Sequence, residues 1–302
     1  MRKYLRYAHV IVMAAGILGM LLMSWLFAGG TDERGLYPAR HPGWVLTGIL
    51  TVLVIAATWL LTRQAGTNRN YQANFPTSLP SALGYALAAI ALLVQGFTYL
   101  RTASGILYLL AGVVGIASGI GLLMGAMNRL RGQRTQLPPH MLPCFFFALN
   151  LFVLGQKFGS EPELCRYLYR FWAVGSMVPA CYHLWGFDVG MGKRTNCLFW
   201  CLLAGYCNLV TAVGNEQQFM YLAMGIWMLT ALPKLGYLPK QPRTPRTEEV
   251  IPAAEEPAVA NPVFDIPVTD LPKAESSSMR PELEDPEAIL EQLLREFGQQ
   301  DT

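Results

Sequence analysis

Long apolar runs separated by short polar breaks fill the first 235 residues of the chain. Eight runs, 8–28, 44–61, 81–100, 105–127, 141–157, 166–187, 197–213 and 218–235, each have about the length a helix needs to cross the hydrocarbon core of a bilayer. Ionisable residues are almost absent from their interiors. In lipid the backbone must satisfy its own hydrogen bonds, so such runs predict transmembrane α-helices. The expected fold is an all-α polytopic membrane helix bundle of about eight transmembrane helices in four hairpins. The connections around Arg101 to Ser104, Gly159 to Glu163 and Gly214 to Gln217 are only a few residues long, which makes the helices they join antiparallel neighbours.

The polar breaks differ in sign and number. On one side lie 14 basic residues, among them Arg2, Lys3, Arg6, Arg63, Arg129, Arg131, Lys193 and Arg194; on the other lie 6, namely Arg34, Arg40, Arg101, Lys157, Arg166 and Arg170. The positive-inside rule then places both termini in the cytoplasm, as an even number of spans also requires. The first run is longer than the usual core of a cleaved signal and lacks a good small-x-small site, so it reads as an uncleaved helix.

Composition supports the same picture. The chain is 53% hydrophobic and 14% charged, whereas a soluble domain carries about 25% charged residues. The mean hydropathy is +0.31. Its net charge of +3 hides two opposed regions: residues 1–240 hold 18 Lys and Arg against 6 Asp and Glu, and 241–302 hold 5 against 14. Basic loops anchor helix ends at anionic headgroups, so the excess calls for a lipid bilayer and not for nucleic acid.

Three regions follow: a transmembrane domain over 1–238, a Pro-rich acidic linker over 239–281 expected to be disordered, and a short amphipathic helix within 282–302. Asp285 as N-cap, Pro286 in the first turn and Gly298 beyond the end delimit that helix. Its apolar stripe is Ile289, Leu290, Leu293, Leu294 and Phe297. So short a helix is marginal alone in water, so the stripe needs a cover: a cytoplasmic partner protein, the protein's own loops, or none if the helix frays. The surrounding acidic residues argue against anionic lipid.

Within the membrane domain, Gly112, Gly115, Gly119, Gly121 and Gly125 stand at spacings that let helix backbones approach closely, so the fourth helix should be central or lie at a dimer contact. Leu79-Pro80 and Leu137-Pro138 open hairpins 58 residues apart, and a third opens near Arg194, an interval compatible with duplication and also with the common length of membrane hairpins.

Polar residues at depth are where chemistry would reside. Asn150 and Lys157 share a face of the fifth helix, and Arg166 and Arg170 share one on the sixth. With Gln95 and Tyr99 they outline a basic, outward-facing pocket for an anionic lipid or small anionic solute; alternatively the cations snorkel to the surface and pair with Glu161 and Glu163. Cys144, Cys181, Cys197 and Cys201 lie at similar depth to His140 and His183, but no CxxC occurs and thiols in apolar helices behave as small hydrophobes, so no metal site is expected. Asp188 is the only acidic residue close to a cytoplasmic helix end, and the neighbouring Gly-rich turn Gly186 to Gly192 reads as a loop beside Lys193 and Arg194. There is no HExxH, GxSxG or phosphate-binding loop, and neither catalysis nor a cofactor is expected. Compact loops and the absence of an N-x-S/T acceptor fit a bacterial inner membrane protein. The reading reached from sequence is a noncatalytic membrane sensor, anchor or scaffold that recruits a cytoplasmic partner through its tail. A small-solute or lipid transporter using the basic pocket is the alternative.

Overall fold

The computed structural model describes residues 5–29, 41–65, 71–102, 105–132, 138–159, 167–214 and 216–232. The chain divides into two units, Met1–Thr244 and Pro245–Thr302, and every described residue belongs to the first. The linker and the stripe from Ile289 to Phe297 lie outside the described residues, as does Arg166.

Eight long helices form the described part: α1 (Ala8–Ala28), α2 (Pro42–Thr62), α3 (Leu79–Arg101), α4 (Ile106–Arg131), α5 (Met141–Phe158), α6 (Leu168–Asp188), α7 (Arg194–Thr211) and α8 (Gln218–Ala231). A single helical turn, Tyr71–Asn74, precedes α3. Five of the eight, α1 to α5, are long and apolar enough to cross a membrane. Helix starts carry the expected local signals. Pro42 and Pro80 stand in the first turns of α2 and α3, where a missing N–H is harmless, and the His41 side chain accepts from Gly43 N–H at 3.1 Å. Gly132, at φ 67°, closes α4 in the left-handed conformation and returns its N–H to Asn128.

Six helices close a ring, in which α3 packs on α4, α4 on α5, α5 on α6, α6 on α7, α7 on α8 and α8 back on α3. Helices α1 and α2 pack on each other and on α7, outside the ring. The core of the ring is aromatic and methionine-rich, with Trp227, Tyr85, Tyr206, Tyr221, Phe146 and Met177 fully buried. The outer surface of the helices is the reverse: Val45, Val52 and Leu53 on α2 and Leu79, Leu83, Ile106 and Val113 on the ring are all more than half exposed. Apolar surface of that extent is stable only against lipid. The described residues are all-helical, and five long apolar helices mark a multi-pass membrane protein.

The glycines of α4 explain its place. A methyl group on Gly96 of α3 would come within 2.8 Å of the Ile116 backbone nitrogen, and one on Gly119 within 2.9 Å of the Ala89 carbonyl, so the two backbones touch without side chains between them. Gly121 and Gly125 face Pro139, just ahead of α5. The close packing expected of α4 is there, with α3 on one side and α5 on the other, but the central helix is α7, which packs on α1, α2, α6 and α8. On α2 a stripe of Thr47, Thr51, Thr58 and Thr62 is buried, and the Thr51 hydroxyl bonds Tyr169 at 3.0 Å and Tyr206 at 2.9 Å, tying α2 to α6 and α7.

Candidate functional site

The basic side of the loops gathers at one end of the ring, with Arg129 and Arg131 closing α4 and Lys193 and Arg194 opening α7. At the opposite end a cavity of about 480 Å³ opens between α3, α4, α5, α6 and α8. Gln95 and Tyr99 reach it from the last turns of α3, Lys157 from the end of α5, and Arg170 from the start of α6. Each helix brings its polar residue at the terminal turns, where apolar sequence gives way to the interface. Thr98, Thr102, Tyr108, Glu216 and Gln217 complete the polar wall, against an apolar floor that includes Val153 and Met220.

A hydrogen-bonded chain stiffens one wall. Gln217 Nε2 donates to the Tyr99 hydroxyl at 3.2 Å, and that hydroxyl donates to Asn150 Oδ1 at 2.6 Å. Asn150 is fully buried, and among the described residues its Nδ2 has no acceptor. The charges stand beside this chain. Lys157 Nζ lies 3.2 Å from Glu216 Oε2, but with side chains 48% and 84% exposed this contact is readily exchanged. Arg170 makes no ion pair among the described residues; its guanidinium lies 5.3 Å from the ring centroids of Phe158 and Tyr167, which hold it in place without neutralising it.

Of the six residues expected to form this pocket, Gln95, Tyr99, Lys157 and Arg170 line it, and Asn150 stands behind Tyr99 as its acceptor. Arg166, Glu161 and Glu163 lie outside the described residues. Sequence reasoning missed Glu216 and Gln217, which enter from the connection before α8; their place in a short loop on the same side as Lys157 was the available signal.

At the basic end the structure makes a second polar assembly. His140 Nδ1 is 2.6 Å from Asp188 Oδ2, His140 Nε2 is 2.5 Å from the Tyr85 hydroxyl, and Arg129 Nη2 donates to that hydroxyl at 3.2 Å. All four side chains are buried, Arg129 at 2% exposure. Asp188 stands at a helix end, as the last residue of α6, with its carboxylate on the imidazole. The described cysteines make none of these bonds. Cys144 donates to the Val178 carbonyl, Cys197 and Cys201 sulfurs are 3.9 Å apart, and no group of three His, Cys, Asp or Glu among the described residues is placed to hold a metal.

No protein-family model, curated protein or solved structure matches the chain.

Proposed function

We propose that this membrane protein takes a small anion, either free or as a lipid headgroup bearing phosphate or carboxylate, into the cavity between α3, α5, α6 and α8 and carries it across the bilayer. One observation supports this above all: a guanidinium without a carboxylate partner among the described residues faces a chamber with hydroxyl and amide walls. A planar donor fork suits carboxylate and phosphate, and a partly buried cation without a counterion attracts one. Toward the basic end the described residues fill the way. Gln95 and Tyr85 are ten residues apart on α3, about 15 Å along the helix, and the buried Leu92, Ala88, Phe146 and Trp227 fill that interval. A chamber open to one side and sealed on the other is what a carrier presents in one of its alternating states.

In this reading all eight helices span the bilayer in four hairpins, the termini are cytoplasmic, the cavity faces outward, and the host membrane is a bacterial inner membrane. Reporter fusions after Arg69, Arg134 and Arg194 should read cytoplasmic and those after Thr102, Ser160 and Asn215 external; an internal reading at Ser160 would reverse the cavity. The ligand test is thermal stability of the purified protein with inorganic phosphate, succinate or short-chain phosphatidylglycerol. At least one should stabilise the wild type and not Lys157→Ala/Arg170→Ala, and the responding compound separates free solute from lipid. Equal shifts in both proteins, or none in either, would refute it.

The tail supports a second activity on sequence grounds. Its stripe from Ile289 to Phe297 suits a groove on a cytoplasmic protein, since each anchor buried there contributes roughly 1.5 to 3 kcal/mol. Leu290→Asp/Leu294→Asp should lower recovery of crosslinked partners by well over tenfold with membrane insertion unchanged. Equal recovery would remove the recruitment reading.

A further inference from the structure

We infer that a hollow between the end of α6 and the start of α7 binds the phosphate headgroup of an anionic phospholipid. It lies at the basic end, away from the cavity that Arg170 borders, and does not depend on what that cavity holds.

The chain builds the hollow by turning back on itself. Tyr182, Trp185, Gly186 and Val189 stand at spacings of three and four, so they share one face at the end of α6. Beyond them Gly190 takes φ 80°, and the Met191 N–H donates to the Gly186 carbonyl at 2.7 Å. Gly192 crosses the Phe187 ring, where a β-carbon would collide. The turn thereby brings Lys193, just ahead of α7, and Asn196, in its first turn, against the α6 face. The space between them is about 370 Å³, within the range of small-ligand sites.

Its chemistry suits an anion. Lys193 contributes an ammonium, His183 an imidazole, Asn196 an amide and Tyr182 a hydroxyl. The Tyr182 ring stands edge-on to His183 at 5.3 Å and to Trp185 at 6.2 Å, which steadies both. No carboxylate among the described residues lines the hollow, and Lys193 makes no ion pair among them. Asp188, on the same helix, is engaged by His140. Trp185, in the wall of the hollow, has an indole N–H without an acceptor among the described residues. A phosphate group supplies negative charge and several acceptor oxygens together.

The surroundings favour a lipid over a free ion. Arg129, Arg131, Lys193 and Arg194 stand at helix ends here, where apolar sequence stops, and that is the level of lipid headgroups. Tyr and Trp gather at the same level because one part of each ring system is apolar and another polar. Tyr182, Val189 and Met191 are exposed around the hollow, so they offer acyl chains a surface that a free phosphate would leave bare. Basic pockets between helices at the charged side of a membrane protein suit anionic headgroups for this reason.

The test is equilibrium dialysis of radiolabelled short-chain phosphatidylglycerol against full-length Lys157→Ala/Arg170→Ala protein in uncharged detergent, a background in which the opposite cavity has lost its cations. Saturable binding is expected, roughly tenfold tighter than that of phosphatidylcholine with the same chains and tighter than that of inorganic phosphate. Adding Lys193→Gln should weaken it about fivefold. Adding Arg131→Gln instead, at the same end but outside the hollow, should leave it unchanged. Absence of saturable binding, equal binding of the two lipids, or inorganic phosphate bound as tightly as the lipid would overturn the site. So would Lys193→Gln binding as before, or equal losses in the two variants. Failure of the anion reading for the opposite cavity leaves these outcomes untouched, because its cations are removed throughout.

Discussion

The two ends of the helical ring solve opposite problems with similar residues. Each gathers a tyrosine, an arginine and a carboxylate. At the basic end, Arg129, Tyr85, His140 and Asp188 consume one another's hydrogen-bonding capacity in a buried chain. At the other, Arg170 and Lys157 border a cavity of about 480 Å³ with capacity to spare, and Tyr99 is held by Gln217 and Asn150 so that it stays at the wall. Polar groups satisfied internally lock helices together; polar groups left facing a space are available to a guest.

That contrast can be broken from its strong side first. Asp188→Ala leaves a buried imidazole beside Arg129 with no carboxylate, and should lower stability by about 3 to 5 kcal/mol, read as a lower unfolding temperature in detergent. Lys157→Met removes a charge pair at the exposed end and should change stability by about 0.2 to 1 kcal/mol at most. Equal effects would erase the distinction between the two ends.

Gly96→Val comes next. The added side chain meets Ile116 N and the Gly112 carbonyl, which are backbone atoms and cannot rotate away, so α3 and α4 must part. The expected loss is about 1 to 3 kcal/mol, again from thermal unfolding, and it should appear at both ends because these helices contribute to both. Tyr99→Phe should have a smaller effect, about 1 kcal/mol, since it leaves the buried Asn150 Oδ1 without its donor while Gln217 turns to the cavity. Its larger consequence should be weaker anion stabilisation, which sharpens the comparison by showing that the wall matters more for the guest than for the fold.

The helices and the glycine seam were legible because both are periodic. The expected run 8–28 coincides with α1, and 141–157 differs from α5 by one residue. Gly115 and Gly119 face α3 as four-residue spacing requires. Most of the cavity was legible too, because Asn150 with Lys157, and Gln95 with Tyr99, share helix faces. The buried network was not. Tyr85 and His140 are 55 residues apart and His140 and Asp188 are 48 apart, each at a helix end where polar residues are ordinary. Only the closing of the ring brings them together, and that closure depends on α8 packing back on α3, which no local spacing encodes.

The central claim is that the open end holds an anion through Arg170. Its most direct measurement is equilibrium dialysis of radiolabelled phosphate, and in parallel of short-chain phosphatidylglycerol, against protein in uncharged detergent. The account predicts saturable binding of one of the two, weakened more than tenfold in Arg170→Ala and partly restored in Arg170→Lys. Binding of neither probe, or binding that Arg170→Ala leaves unchanged, would contradict it.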